Sequence, residues 1–157
     1  MKFDSKGLYD FHGHRCPMST MGARIGIAAM AALEVTKADQ FQVEGYFHAR
    51  NCALDGIQFT TGCTLGNGNL DFEDGGRVAF TLKRRDGRGG VSVSVSESAL
   101  ARLSAFKDKK AALLDERQIS GLARAMEIDS EIKAGFEELV DWVQSAGDAD
   151  LLGITRI

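Results

Sequence analysis

The sequence has few cysteines, almost no proline and no long apolar run. It contains one proline and three cysteines in 157 residues, and no stretch approaches the roughly 20 apolar residues that span a bilayer. The N-terminal segment lacks the apolar core of a secretory signal peptide, so we expect a cytoplasmic protein that does not enter the membrane. Cytosolic thiols are kept reduced and three is an odd number, so a disulfide framework is not expected.

Basic residues are not in excess either. The chain has 19 Lys and Arg against 22 Asp and Glu, a formal net charge of −3. Nucleic-acid binders normally carry a clustered excess of positive charge that displaces counterions from phosphates. The one basic cluster, Lys83 to Arg85 with Arg88, adjoins turn residues and is interpreted as a solvated hairpin turn. We therefore expect no nucleic-acid partner.

Length and composition indicate a single α+β domain over residues 1–157, with 44% hydrophobic and 26% charged residues. The predicted order is a long N-terminal helix after a short one, a mostly antiparallel sheet, and two or three C-terminal helices. Turn residues between the last three internal strands predict an antiparallel meander, and the apolar tail is predicted to dock as an edge strand. The predicted bounds are helices 2–9, 17–37 and 52–61, strands 41–47, 70–72, 77–84 and 90–96, and a tail strand within 151–157.

All the thiols and imidazoles lie in the first half of the chain. The three Cys and three His fall between His12 and Cys63, and none follows. Proline suits the first turn of a helix, so Pro17 places Cys16 at or near a helix N-cap. A thiol there feels the positive end of the helix dipole, which favours the thiolate. Thiolate is the form that binds a metal or acts as a nucleophile.

Several further residues can join Cys16. His14 precedes it by two residues, and the combination of thiolate and imidazole suits zinc and related transition metals. His12 is interpreted as another ligand or as a hydrogen-bond partner of one. Cys52 and Cys63 lie at the two ends of a short predicted helix, so both can return to the same site. The alternative is that each cysteine is a small buried apolar residue and the histidines make local hydrogen bonds.

Two more polar positions have two interpretations each. Asp55 and Gln58 lie three and six residues after Cys52 and share roughly its helical face. They either point into the same cavity or serve as capping and solvent-facing residues. His48 ends a predicted strand near Arg50 and is interpreted as a surface residue, with metal ligation as the alternative.

Small residues suggest close backbone packing in two places. Gly22 and Gly26 are four residues apart, so they form a smooth stripe that predicts tight packing, either internal or in a dimer. The segment 62–69 contains many residues that tolerate positive φ, which predicts a backbone wrapped closely around something.

Four segments together resemble one known family. They are residues 11–17 (FHGHRCP), Gly22-Ala23-Arg24, residues 52–58 (CALDGIQ) and residues 61–70 (TGCTLGNGNL). In this order they are similar to the FmdE family of formylmethanofuran dehydrogenase proteins, and the likeness runs from about Phe11 to Phe80.

The resemblance implies an α+β core, commonly a homodimer, with a cleft that takes a metal such as zinc. The implied site positions are His12, His14, Cys16 and Cys63, with Cys52, Asp55 and Gln58 from the intervening helix. It also implies an accessory role beside molybdenum or tungsten dehydrogenases of one-carbon metabolism.

The chain departs from the family pattern in two positions and lacks one feature. Met18 stands where the family usually has Gly, and Asn67 where it usually has Lys, which removes a positive charge beside the cleft. No cysteine follows Cys63, so the C-terminal zinc finger of some members is not expected. Nothing resembles a pterin site or an iron–sulfur cysteine run.

Three hypotheses follow. The first is a metal-binding accessory protein that holds zinc or another divalent transition metal. The second is a small enzyme acting on a one-carbon or sulfur-containing compound, with an open metal position or Cys16 as nucleophile and Asp55 as acid–base partner. The third is a dimeric interaction module. The sequence favours metal binding and leaves catalysis open.

Overall fold

One mixed β-sheet, covered by helices, organises the chain. The computed structural model describes residues 3–157 as an α+β fold, so the predicted fold class is confirmed. Within this range no helix is both long and apolar enough to cross a membrane. The elements are α1 Ser5–His12, α2 Pro17–Leu33, a 3₁₀ helix Lys37–Gln42, β1 Val43–Phe47, α3 Ala53–Thr61, β2 Leu70–Phe72, β3 Ala79–Arg84, β4 Gly90–Val95, α4 Glu97–Ile119, α5 Leu122–Ser145, α6 Asp148–Leu151 and β5 Leu152–Arg156.

The strand order is β2-β1-β3-β4-β5, and β1–β2 is the parallel pair. The other three neighbouring pairs are antiparallel, and the tail forms edge strand β5 as predicted. The predicted meander was wrong for β2. The backbone N–H groups of Glu73 and Arg77 both donate to carbonyls at the end of β1, those of Phe47 and His48. This pairing holds β2 on one side of β1, while β3 lies on the other.

The sheet buries one face against α2. Phe47, Phe80, Leu82, Val91 and Val93 are fully buried, as the period-2 alternation of strands requires. On the opposite face the same strands carry polar residues.

Helices α2 and α3 pack at unusually short range. A Cβ built on Gly22 would lie 1.9 Å from the carbonyl oxygen of Ala53, and one on Gly56 would lie 2.0 Å from that of Ser19. The predicted tight packing of the glycine stripe is therefore internal. This contact fixes the N-termini of both helices, which carry Cys16 and Cys52.

Two helix boundaries differ from the prediction at the N-terminus. Helix α1 begins at Ser5, because the Asp4 carboxylate accepts a hydrogen bond from the Gly7 amide at 2.8 Å, and it continues to His12. The predicted start at Lys2 lies outside the described residues. Helix α2 ends at Leu33, not at residue 37, because Glu34 takes a left-handed conformation with φ of 54°.

The segment after α2 also differs from the prediction. A capping box between Thr36 and Asp39 starts the 3₁₀ helix, which occupies the first two positions of the strand predicted at 41–47. Further on, the Asn51 side chain accepts a hydrogen bond from the Ala53 amide, and α3 begins at Ala53 with Cys52 in its N-cap position.

The two longest helices, α4 and α5, form an antiparallel pair, here called the α4–α5 arm. The base of the arm packs on α2 and α6. Its distal part is mostly exposed, and large apolar side chains cluster around the turn that joins the helices. Ile119, Leu122 and Met126 are 89%, 79% and 61% exposed.

Candidate functional site

Three helix ends bring together three of the predicted metal ligands. The ligand atoms of His12, Cys16 and Cys52 all lie within 4.8 Å of one another. His12 is the last residue of α1, and Gly13 with φ of 94° turns the chain there. Cys16 is the N-cap of α2, as predicted, and Cys52 is the N-cap of α3. We call these residues the His12–Cys16–Cys52 group.

A carboxylate orients the imidazole of this group. His12 Nδ1 lies 2.7 Å from Asp55 Oδ2, and the His12 side chain is only 8% exposed. An ionised carboxylate only accepts hydrogen bonds, so Nδ1 is the donor to it, and in a neutral imidazole Nε2 then keeps a free lone pair. His12 Nε2 is buried and has no hydrogen-bond partner within residues 3–157. Carboxylate–histidine pairs of this kind commonly orient metal ligands.

The two thiols lie close together, with their sulfur atoms within 4.8 Å of each other. Burial is the largest factor that raises the pKa of Cys52, to about 11, followed by the proximity of Cys16. Cys52 is therefore protonated near neutral pH when no cation is present. A divalent cation between the sulfurs would displace that proton, because metal binding requires the deprotonated ligand.

The other two predicted ligands lie outside the group. His14 is exposed, and its ring centroid is 4.6 Å from that of His12. Cys63 is fully buried within the hydrophobic core, where burial raises the pKa of its thiol. Their roles as ligands stay predictions.

Gln58 and His48 make other contacts. Gln58 Oε1 accepts a hydrogen bond from the Leu65 amide at 3.0 Å, so it holds the loop after α3. His48 lies 2.8 Å from Glu73 Oε1 and 3.1 Å from Thr81 Oγ1, in a cleft of about 410 Å³ on the polar face of the sheet.

The glycine-rich loop wraps around Asn67. Its side-chain oxygen accepts hydrogen bonds from the amides of Thr64 and Asn69, and its nitrogen donates to the Gly62 carbonyl and to Gln40. The close wrapping predicted for residues 62–69 therefore has an internal centre, the side chain of Asn67.

Arg24, identified from the sequence only as part of a motif, is a structural residue. It is 2% exposed and reaches the end of α5, where it donates to the carbonyls of Val143 and Ala146 at 2.8 Å and to the Asp148 carboxylate. The signal in the sequence was a single arginine inside a run of small apolar residues.

Comparison with known proteins identifies the family. Residues 11–152 match the family described as "FmdE, Molybdenum formylmethanofuran dehydrogenase operon". A probable S-adenosyl-L-methionine-binding protein of Archaeoglobus fulgidus is 40% identical over 91 residues, which are 55% of this chain and 25% of that protein. This chain thus aligns with about a quarter of the length of that relative.

A solved structure supports the fold. The tungsten formylmethanofuran dehydrogenase FmdE-like protein of Syntrophus aciditrophicus superposes with a TM-score of 0.61 at 20% identity, over 97% of this chain and 68% of that one. The family match covers most of the sequence and includes all three residues of the His12–Cys16–Cys52 group. The chain therefore belongs to the FmdE family.

Proposed function

We propose that this chain is a metal-binding accessory protein that holds zinc or a related divalent transition metal. His12 Nε2 and the thiolates of Cys16 and Cys52 are the proposed ligands. The observation that carries the proposal is the buried His12 Nε2, which lies beside two thiols and has no hydrogen-bond partner among residues 3–157. An orphaned buried nitrogen costs about 1–3 kcal/mol, and a metal bond would remove that penalty.

The donor set decides the class of metal. Thiolate and neutral imidazole suit zinc and other late first-row ions, whereas Mg²⁺ and Ca²⁺ prefer oxygen ligands. Three protein ligands leave one position of a tetrahedral ion free. His14, next to the His12 ring, is a proposed fourth ligand when the ion is bound.

Membership of the FmdE family suggests a physiological role. We propose that the chain is an accessory protein of molybdenum or tungsten dehydrogenases of one-carbon metabolism and acts in the cytoplasm. A direct complex with such a dehydrogenase is part of the same proposal.

Cobalt substitution tests the ligand set. Metal-free protein titrated with Co²⁺ should develop the thiolate-to-cobalt absorption of a site with two sulfur ligands. Cys16→Ser and Cys52→Ser should each lose much of that band, while Cys63→Ala, which removes a thiol outside the group, should retain it. A band that depends on Cys63 and not on Cys52 would overturn the proposed set.

Asp55→Asn should weaken metal affinity by about 10–100-fold, as removal of a carboxylate behind a ligating histidine typically does. The amide can still hydrogen-bond to Nδ1, but it offers no charge to hold the proton there. Competition with a chelator of known affinity measures the change.

Glu73→Gln is the matched control, because Glu73 pairs with His48 at 2.8 Å outside the group. It should leave metal affinity unchanged. Equal affinities for wild type and Asp55→Asn would contradict the assigned role of Asp55.

We also propose a homodimer formed through the tip of the α4–α5 arm. The exposed side chains of Ile119, Leu122 and Met126 form an apolar cluster there, and clusters of this kind commonly mark protein contacts.

Ile119→Glu combined with Leu122→Glu should convert the dimer to a monomer in light-scattering measurements, because the charges would have to be buried. Gln118→Glu, which adds charge beside the cluster, should remain dimeric. A double variant that stays dimeric would place the contact elsewhere.

A second candidate function is catalysis on a small one-carbon or sulfur-containing compound. His14 is exposed and lies outside the group; if it does not bind the ion, the fourth position is free, as it is in catalytic zinc sites. A bound metal there would act as a Lewis acid toward a substrate oxygen or sulfur. Asp55 is already hydrogen-bonded to His12, so its part would be to position that ring. If the enzyme works without a metal, Cys16 is the nucleophile. Failure of iodoacetamide to modify Cys16 at neutral pH would exclude this metal-free mechanism.

A further inference from the structure

An apolar groove of about 710 Å³ lies beside the His12–Cys16–Cys52 group, at the base of the α4–α5 arm. Pro17 and Asn51 line it, and these residues are the chain neighbours of the two thiols. The remaining lining is largely apolar and includes Met18, Val78 and Leu103. Small-molecule sites have volumes of about 300–1,000 Å³, and the groove falls within this range.

One end of the groove is positively charged. Leu103, Phe106, Lys107 and Lys110 all line it and follow one stripe of α4, because residues three, four and seven apart share a helical face. The stripe thus changes from apolar to cationic along the helix. Lys109 also lies on α4 but is not part of the lining.

Lys107 and Lys110 differ from the arginines of the α4–α5 arm. Arg102, Arg117 and Arg124 each pair with a carboxylate, whereas Lys107 and Lys110 form no ion pair within residues 3–157. The groove therefore combines an apolar floor with two uncompensated cations at one end.

We propose that the groove binds a small amphipathic anion, with its apolar body against Leu103, Phe106 and Val78 and its carboxylate beside Lys107 and Lys110. The bound molecule would extend from the arm toward the thiols. The proposal goes beyond the proposed metal function and does not require it, since none of the His12–Cys16–Cys52 group lines the groove.

Calorimetric titration with sodium octanoate tests this on the 157-residue chain, in metal-loaded and metal-free forms. We expect saturable binding that weakens with added salt, and about a fivefold or greater loss of affinity in the double variant Lys107→Gln/Lys110→Gln. Lys109→Gln should bind as wild type does. Octanol lacks the negative charge, so it should bind the wild type more weakly than octanoate does. The double lysine variant should bind octanol and octanoate with equal affinity.

Ser104→Trp provides a second test, because Ser104 is an exposed groove residue and a tryptophan there would fill the space. It should abolish octanoate binding while metal content and circular dichroism stay unchanged. Absence of octanoate binding to wild type, or equal losses in Lys109→Gln and the double lysine variant, would overturn the proposal. So would dissociation of a wild-type dimer by Ser104→Trp, which would show that a second copy fills the groove. Wild-type protein that binds octanoate but no metal would count only against the metal proposal.

Discussion

Gly56→Ala should destabilise the protein by about 3 kcal/mol or more, at the upper end of what overpacking costs. The added methyl carbon would lie 2.0 Å from the Ser19 carbonyl oxygen and 2.4 Å from the Ala23 amide nitrogen. Both neighbours are backbone atoms of α2, so no side chain can move aside. Relief requires that α2 and α3 separate.

That separation should also reach the candidate site, because the two helices carry Cys16 and Cys52 at their N-caps. We therefore expect weaker metal binding together with a lower denaturation midpoint in urea. Gly121→Ala is the matched control, since a Cβ there would meet no atom of residues 3–157 within 4 Å. A Gly56→Ala variant as stable as this control would contradict the close contact between the helices.

Arg24→Met should lower the free energy of unfolding by about 3–5 kcal/mol, the cost of breaking a buried charged network. The guanidinium donates to Val143, Gln144 and Ala146 carbonyls and to Asp148. Methionine fills part of the volume but leaves the end of α5 without these donors. Arg24→Lys should recover little, because an ammonium lacks the planar fork that reaches several acceptors at once.

The measurement is thermal unfolding, where a loss of this size corresponds to a decrease in Tm of roughly 10 °C for a chain of this length. Arg88→Met is the control, because Arg88 is exposed in the hairpin turn and pairs with Asp86. It should change stability by no more than about 0.5 kcal/mol. Similar losses in both variants would mean that the Arg24 contacts contribute little.

Local chemistry made parts of the fold predictable. A proline after Cys16 marked the start of α2, and α3 ends at Thr61 as predicted, followed by Gly62 with φ of 73°. Alternating apolar residues located the strands. The partner of β2 was not predictable, because alternation shows which face of a strand is buried and carries no information about its neighbour.

The candidate site, like the fold, could be predicted only in part. Residue type alone selected the cysteines and histidines, but the sequence spacing did not reveal which of them meet. Cys63 lies in the core, and His12, predicted to be a ligand or a hydrogen-bond partner of one, carries the buried nitrogen that lacks a partner in the described part of the chain. The left-handed Glu34 and the capping box at Thr36 redirect the chain between α2 and β1. A left-handed glutamate has no sequence signal, whereas the spacing of Thr36 and Asp39 fits a capping box and could have indicated the new helix start.

The most direct test of the account is the metal content of anaerobically purified protein, counted per chain by elemental analysis. The wild type and Cys63→Ala should each hold about one transition-metal ion, and Cys16→Ser and Cys52→Ser should hold little or none. The central claim would be contradicted by wild-type protein without metal. It would also be contradicted if Cys16→Ser and Cys52→Ser each retained about one metal ion per chain.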